Sequence, residues 1–274
     1  MLVGIVHRAP CGTSLENLPL LRGLAVSLLL QAMILFSNEA SDAASDDAST
    51  RTMISGGAGV GAEGALSPHA LRRAGFSAGA IGLVICAAIG GLPLASIWLL
   101  AALLVWAYDG HCLRLSRHPL GCLCQAAGVG VVTPLLGGWC AAIPLWPTTH
   151  DVLVGLCLGM SGHILTALPD HTSDGKVGKN TIVVTLGTRA SFALMLAGIG
   201  ASALLLLGVP AVAPCANFPL GLWPRALGLI VLAGLLAWAW RLRQREPDSR
   251  QQLTPDLWLA GVTSIALWIV WIVS

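Results

Sequence analysis

Asn38, Asp42 and Asp46 recur at every fourth position, and Asp170 and Asp174 repeat that spacing far along the chain. On a helix, positions i and i+4 share one face, so each set predicts a stripe of oxygen-bearing side chains. Carboxylates gathered at one place repel each other and resist leaving water. A hard divalent cation relieves both problems, and Mg2+ takes carboxylate, water and phosphate oxygens. Each set is followed by basic residues, Arg51 after the first and Lys176 and Lys179 after the second, with Arg114 in a connection between them. Such cations suit the remaining charge of a phosphate. The chemistry this predicts is metal-assisted handling of a phosphorylated substrate. Either acidic set alone reads as ordinary solvated loop charge; two sets, each at the edge of an apolar segment, do not.

The elements that must position these residues are membrane helices. Of the 274 residues, 55% are hydrophobic and 10% charged, with mean hydropathy +0.79. A soluble domain carries about 25% charged residues. Apolar runs fall at 18–37, 75–93, 94–108, 120–145, 151–169, 190–213, 224–240 and 256–273, which makes eight candidate spans. A span needs roughly 20 apolar residues, so the 94–108 run is short. The runs are apolar all round, which favours helices over a lipid-facing barrel. The fold class predicted is all-α, a polytopic membrane helical bundle formed by one domain over residues 1–274. Such a chain takes membrane lipid as its surroundings, and nothing in its modest net charge of +2 points to nucleic acid.

Twelve of the fifteen basic residues fall in four alternate connections, those after 37, 108, 169 and 240. By the positive-inside rule these loops face the cytoplasm, the orientation expected for an inner (plasma) membrane protein. Both acidic sets lie on that side. No basic stretch leads into an apolar run near Met1, so no cleavable signal peptide is expected. The eight cysteines include no C-x-x-C pair and read as small buried hydrophobes. His163 lies seven residues before Asp170, on a similar helix face, and is a candidate contact for a second substrate. His171 reads as a loop residue and Asp47 as pointing away from the first stripe. Gln125 and Thr133 can face a cavity or bond neighbouring helices. Trp98, Trp146, Trp223 and Trp271 fit an interfacial belt.

Asn38-x3-Asp42-x3-Asp46 and the stretch PDHTSDGKVGKNTIVVTLG resemble the two aspartate-rich motifs of the UbiA-type intramembrane prenyltransferases. The second is the more specific, matching the family string at Pro169, Asp170, Asp174, Gly178, Lys179, Thr181, Leu186 and Gly187. Tyr108, followed by Leu113-Arg114-Leu115 and Gly121, is similar to the family's tyrosine-plus-basic connection. The glycine-rich stretch from Ser55 to Pro68 looks most like the dihydroxynaphthoate polyprenyltransferase branch.

The resemblance implies transfer of an isoprenyl group from an isoprenyl diphosphate to an aromatic acceptor of quinone-precursor type. Mg2+ would bridge Asn38, Asp42, Asp46, Asp170 and Asp174 to the diphosphate, Lys176, Lys179, Arg114 and Arg51 would neutralise it, and Tyr108 would bind diphosphate or steady an allylic cation. His163 would touch the acceptor, and apolar helices would hold the prenyl tail and exclude water. Three features depart from the family pattern. Glu39 stands where aspartate is frequent, Cys112 stands where lysine is frequent after Tyr108, and the family's usual nine spans become eight, as though the first were missing. Two other classes compete: a transporter, in which intramembrane acids and histidines line an ion path, and an inactive or regulatory family member. Acids clustered at one face, with no internal repeat, favour the enzyme.

Overall fold

The structure, a computed structural model, describes residues 17–43, 59–61, 63–110, 112–140, 146–207, 230, 234 and 259–267. Every regular element among them is helical. In order they are α1 (Asn17–Asp42), α2 (Pro68–Asp109), a short 3-10 turn (Leu115–Arg117), α3 (Gly121–Cys140), α4 (Thr149–Ala167), α5 (His171–Lys176) and α6 (Ile182–Leu207). Residues 259–267 are also helical. Among the described residues, five helical stretches are long and apolar enough to cross a membrane. The expected spans at 224–240 and 256–273 lie largely outside the described residues.

The 42 residues of α2 would measure about 63 Å if straight, twice the hydrocarbon thickness. They fold back instead. Gly91 takes φ 62° and ψ −155°, a conformation open to glycine and costly for other residues, and Pro93 starts the return arm. The indole of Trp98 lies between the arms, fully buried, and its Nε1 donates to Gly79 O at 2.8 Å. A Cβ on Gly82 would collide with that indole. The two expected spans, 75–93 and 94–108, are therefore the arms of one helical hairpin. Trp98 is not part of an interfacial belt: it fills the slot that Gly79 and Gly82 leave in the opposite arm.

Small residues set the other contacts. In lipid, apolar side chains gain little by meeting each other, so close backbone approach carries much of the packing. Gly75 rests against Ser37 and Met33 of α1. Gly130 of α3 and Gly155 of α4 face each other so closely that a Cβ on either would strike the other's carbonyl. Gly159 touches the Ala126 backbone, and Gly198 of α6 takes the Ser161 hydroxyl, which donates to Cys157 O (2.8 Å) and Met195 O (3.1 Å).

Two buried clusters result. One joins Val26, Leu30, Met33, Leu94, Trp98 and Leu136 across α1, α2 and α3. The other joins Val154, Leu158, Ile164, Met195 and Ile199 of α4 and α6 with Ala260 and Leu267. The outer faces stay apolar, with Phe76 81% exposed, as lipid contact requires. Cys86, Cys122 and Cys140 are buried thiols, as their surroundings suggested.

The two ends of α4 are built differently. Its start is fixed by Thr148 and Asp151, each bonding the other's backbone N–H, and by His150 Nε2 donating to Leu205 O at 3.0 Å. At its other end the helical path does not stop. Pro169 sits in the first positions of a 3-10 turn, Leu168–Asp170, where its missing N–H costs nothing, and the chain runs on into α5. His171, expected in a loop, opens that helix.

Candidate active site

Three helix ends and two connections converge around Lys179. The first contributor is the end of α1. Helix geometry persists through Asp42, so Asn38, half-buried, stands one turn before it as the spacing predicted. Asp46, Asp47 and Arg51 lie outside the described residues. Between Asn38 and Asp42, Glu39 is buried and turned toward the glycine-rich connection. Its Oε1 accepts from Gly59 N (3.0 Å) and its Oε2 from Gly61 N (3.2 Å). This carboxylate fastens the connection to α1, a role its departure from the family pattern did not suggest.

The second contributor is the segment from α5 to α6, where the letters of the second motif find separate physical tasks. Asp170 and Asp174 sit on a continuous helical path, four residues apart and so on one face. Gly178, at φ 69°, turns the chain out of α5 in the left-handed conformation. That turn brings Lys179 N to Asp174 O (2.9 Å) and sends its side chain back over the helix. Thr181 is buried at the start of α6, where its Oγ1 accepts from Val184 N at 3.4 Å. Gly187, φ 76° and ψ 164°, breaks α6 after its first turn.

The two aspartate sets meet at Lys179. Its Nζ lies 3.0 Å from Asp42 Oδ1 and 3.3 Å from Asp174 Oδ1, and the lysine side chain is only 9% exposed. One ammonium group thus joins the motifs that sequence had separated.

The end of α2 supplies the third contributor. Tyr108 and Asp109 close the return arm, and Gly110 caps it with a 2.7 Å bond to Trp106 O. Asp109, which sequence reasoning missed, is near enough to interact electrostatically with both Asp42 and Lys179. Its Oδ1 is buried with no hydrogen-bond partner among the described residues. Tyr108 is near enough to Asp42, Asp109 and Asp174 to feel their charge, and its hydroxyl pairs with the Gln125 side chain. Its ring meets His163 edge-on, with centroids 6.1 Å apart and planes at 86°. That contact puts His163 on the far side of the Tyr108 ring. Gln125 belongs to this polar group, whereas Thr133 bonds within its own helix, to Gly128 O at 2.9 Å across a π-turn.

The connection from 110 to 120 folds over this end. Gly121 makes room, since a Cβ there would strike Leu115 O and crowd the Tyr108 ring. Arg114 sits left-handed at φ 45°, strained for a residue with a side chain, and its Nε is buried without a hydrogen-bond partner among the described residues. Arg117 O accepts from Asn180 N (2.9 Å), which ties this connection to the second motif, and the Arg117 charge acts on Asp174. Lys176 points elsewhere: it is exposed and makes none of the bonds to Asp42 or Asp174.

Asp42, Asp109 and Asp174 form a set of hard oxygen donors of net negative charge, and Asp109 Oδ1 still has bonding capacity. That chemistry fits a small divalent cation. Among the described residues, no three acidic, histidine or cysteine side chains converge into a metal site by themselves. Lys179 stands between the carboxylates, and Mg2+ sites commonly complete their shell with water and substrate phosphate.

A sequence model described as the UbiA prenyltransferase family matches residues 1–262. No curated protein matches the chain. Among solved structures, similar folds include a UbiA homolog from Archaeoglobus fulgidus bound to DMAPP and Mg2+. It has TM-score 0.70 and 16% identity over 98% of this chain and 91% of that one. The same homolog bound to GPP and Mg2+ gives TM-score 0.69 with the same identity and coverage. Bound to Cd2+, it gives TM-score 0.63 at 16% identity over 98% and 92% of the two chains.

Proposed function

The chain belongs to the UbiA prenyltransferase family, and on that footing we propose that it transfers an isoprenyl group from an isoprenyl diphosphate to an aromatic acceptor within the membrane. One observation carries the reading. Lys179 joins Asp42 of the first motif to Asp174 of the second at the end of an apolar bundle. That end would offer oxygen donors to a metal and cations to a diphosphate, while the largely apolar helices beyond it would take a prenyl tail. Similar folds hold DMAPP or GPP with Mg2+, which supports the same ligand class here.

Asp42, Asp174 and Asp170 would hold Mg2+, with Asn38 and Asp46 completing the first motif and Asp109 beside them. Bound there, the metal supplies positive charge for the departing diphosphate. Lys179, Arg117 and Arg114 take the remaining phosphate charge, with Lys176 and Arg51 as outer contributors. The C–O bond of the allylic diphosphate breaks with its electron pair leaving on oxygen. The acceptor ring then forms the new C–C bond from its own electron pair and loses a ring proton. The Tyr108 ring, between the acids and His163, faces the developing allylic charge, and His163 contacts the acceptor. The surrounding apolar helices keep out water that would quench the cation.

The acceptor class we favour is a quinone precursor, of dihydroxynaphthoate type by the Ser55–Pro68 stretch, with the site facing the cytoplasm from the inner membrane. A transporter reading gains no support from the placement of the acids, because Asp42 and Asp109 stand at helix ends and not in helix interiors. The test uses the full chain in lipid nanodiscs with Mg2+, labelled isoprenyl diphosphates of several lengths and a panel of aromatic acceptors. A prenylated acceptor with release of diphosphate is expected. No product, together with no Mg2+-dependent binding of any isoprenyl diphosphate, would sink the reading.

A further inference from the structure

The Lys179 ammonium occupies the place between the two aspartate motifs that a bridging cation would need. Its ion pairs with Asp42 (3.0 Å) and Asp174 (3.3 Å) use oxygens that the proposed metal site also requires. Around it stand three carboxylates, Asp42, Asp109 and Asp174, in a setting largely withdrawn from water. Such a cluster stays ionised at a high electrostatic cost unless a counter-charge is near, and Lys179 supplies one from within the chain. A divalent cation joins these oxygens only weakly while the ammonium stays, because two positive centres would then share one small, poorly screened space.

The backbone around Lys179 is held on both sides. Its own N–H bonds Asp174 O, Asn180 N bonds Arg117 O, and Thr181 caps α6. The Cα is therefore fixed, while the four-carbon stem allows the ammonium to change partners. A diphosphate offers it a better one, being more highly charged than either carboxylate.

We propose that Lys179 is an internal counter-ion that keeps divalent cations out of the site until a diphosphate takes its ammonium group, so that metal and diphosphate enter as a unit. This rests on the prenyltransferase reading but goes beyond it, since that reading requires only that both ligands be present. The proposal has three consequences. Free metal binds weakly to the protein without diphosphate. Diphosphate and metal each tighten the other's binding by the same factor, as linkage demands. Removal of the lysine's charge weakens that coupling.

The test measures Mn2+ bound to the full chain in nanodiscs by equilibrium dialysis, with electron paramagnetic resonance reading the free ion. Four samples decide it: wild type with Mn2+ alone, wild type with Mn2+ and inorganic pyrophosphate, Lys179→Met and Lys179→Arg. A neighbouring opposite charge shifts the affinity of a carboxylate for a proton by about tenfold to a thousandfold. Lys179→Met should gain Mn2+ affinity in that range without pyrophosphate, and Lys179→Arg should stay as weak as wild type. Pyrophosphate should tighten Mn2+ binding strongly in wild type and little in Lys179→Met.

Equal Mn2+ affinity in wild type and Lys179→Met, or no effect of pyrophosphate on wild type, overturns the proposal. Should the Met variant fail to fold, Lys179→Gln takes its place, and equal Mn2+ affinity in that variant and wild type overturns the proposal. The two readings fail differently. If all samples bind Mn2+ equally well, only the lysine proposal falls; if none binds it under any condition, the prenyltransferase reading falls too.

Discussion

Replacing Glu39 by glutamine tests how Gly59 and Gly61 are held against α1. The carboxylate accepts from two backbone N–H groups, Gly59 at 3.0 Å and Gly61 at 3.2 Å, one on each oxygen. A glutamine of the same shape keeps one acceptor and turns an NH2 group toward the other N–H. One charge-assisted bond is lost outright and the other becomes neutral. A hydrogen bond to a charged group contributes roughly 1.5–3 kcal/mol, so the docked connection should weaken by about that much. The cost is not diluted by solvent, because Glu39 is buried. At about 1.4 kcal/mol per tenfold, the undocked population rises about tenfold to a hundredfold. Hydrogen–deuterium exchange with mass spectrometry reads this directly at peptides covering Gly59 and Gly61. Glu39→Asp, one methylene shorter, should show an intermediate rise because it keeps the charge but loses reach. Exchange at those glycines within twofold of wild type in Glu39→Gln would refute the clamp, and with it the explanation of why glutamate serves here.

Further changes separate chemistry from architecture. Asp42→Asn and Asp174→Asn should each lower prenyl transfer by at least about a hundredfold, the scale of losing one electrostatic group in a transition state, with membrane insertion unchanged in a carbonate-extraction assay; full activity in either would remove that residue from the metal set. Gly91→Ala should destabilise the α2 hairpin by roughly 1–3 kcal/mol, read as a lower thermal midpoint in detergent, because φ 62° with ψ −155° suits only glycine. Gly162→Ala, helical and with open space at its Cβ, is the control and should be neutral or slightly stabilising. Gly155→Val should force α3 and α4 apart at Gly130 and lower the midpoint by a comparable or larger amount; an unchanged midpoint would contradict the close crossing.

What the sequence shows and what it hides divide along a physical line. Apolar length is local, so α1, the two arms of α2, α3, α4 and α6 could be anticipated, and the 94–108 run was short because it is the return arm of a hairpin. The second motif was legible from its aspartate spacing and its resemblance to a family string, and the structure gives its letters local backbone tasks: Gly178 a left-handed turn, Thr181 a cap, Gly187 a break. Pro169 does not interrupt the helical path, since a proline breaks a helix in its interior but is harmless in a first turn. Trp98 misled because tryptophan is both an interfacial and a packing residue, and only the hairpin puts Gly79 and Gly82 opposite it. Asp109 and Arg117 stayed hidden for another reason. Their roles depend on how the 110–120 connection folds across the bundle, a long-range fact set by Gly121 and by the Arg117–Asn180 bond. The signal in the sequence was modest: an acid directly after Tyr108 at the end of an apolar run, and a second arginine three residues past Arg114.

The geometry of the helices explains why the acids gather at one end. Glu39 reaches Gly59 and Gly61 just before α2 begins, so α2 starts where α1 ends; its reversal at Gly91 then returns Asp109 to that end. Likewise α4 begins beside Leu205, the far end of α6, and so delivers Asp170 and Asp174 where α6 starts. Antiparallel pairs thus bring residues distant in sequence together at no cost beyond packing that the bundle already needs. The electrostatic problem this creates cannot be relieved by moving the acids apart, because each is fixed by its own helix. It can be relieved by a proton or by a cation, and the chain has a cation that its own second motif brings into reach. A site built in this way is selective before any substrate contact is made. A ligand must carry enough negative charge to draw the lysine away and must arrive with enough positive charge to replace it, and a metal-bound diphosphate meets both conditions.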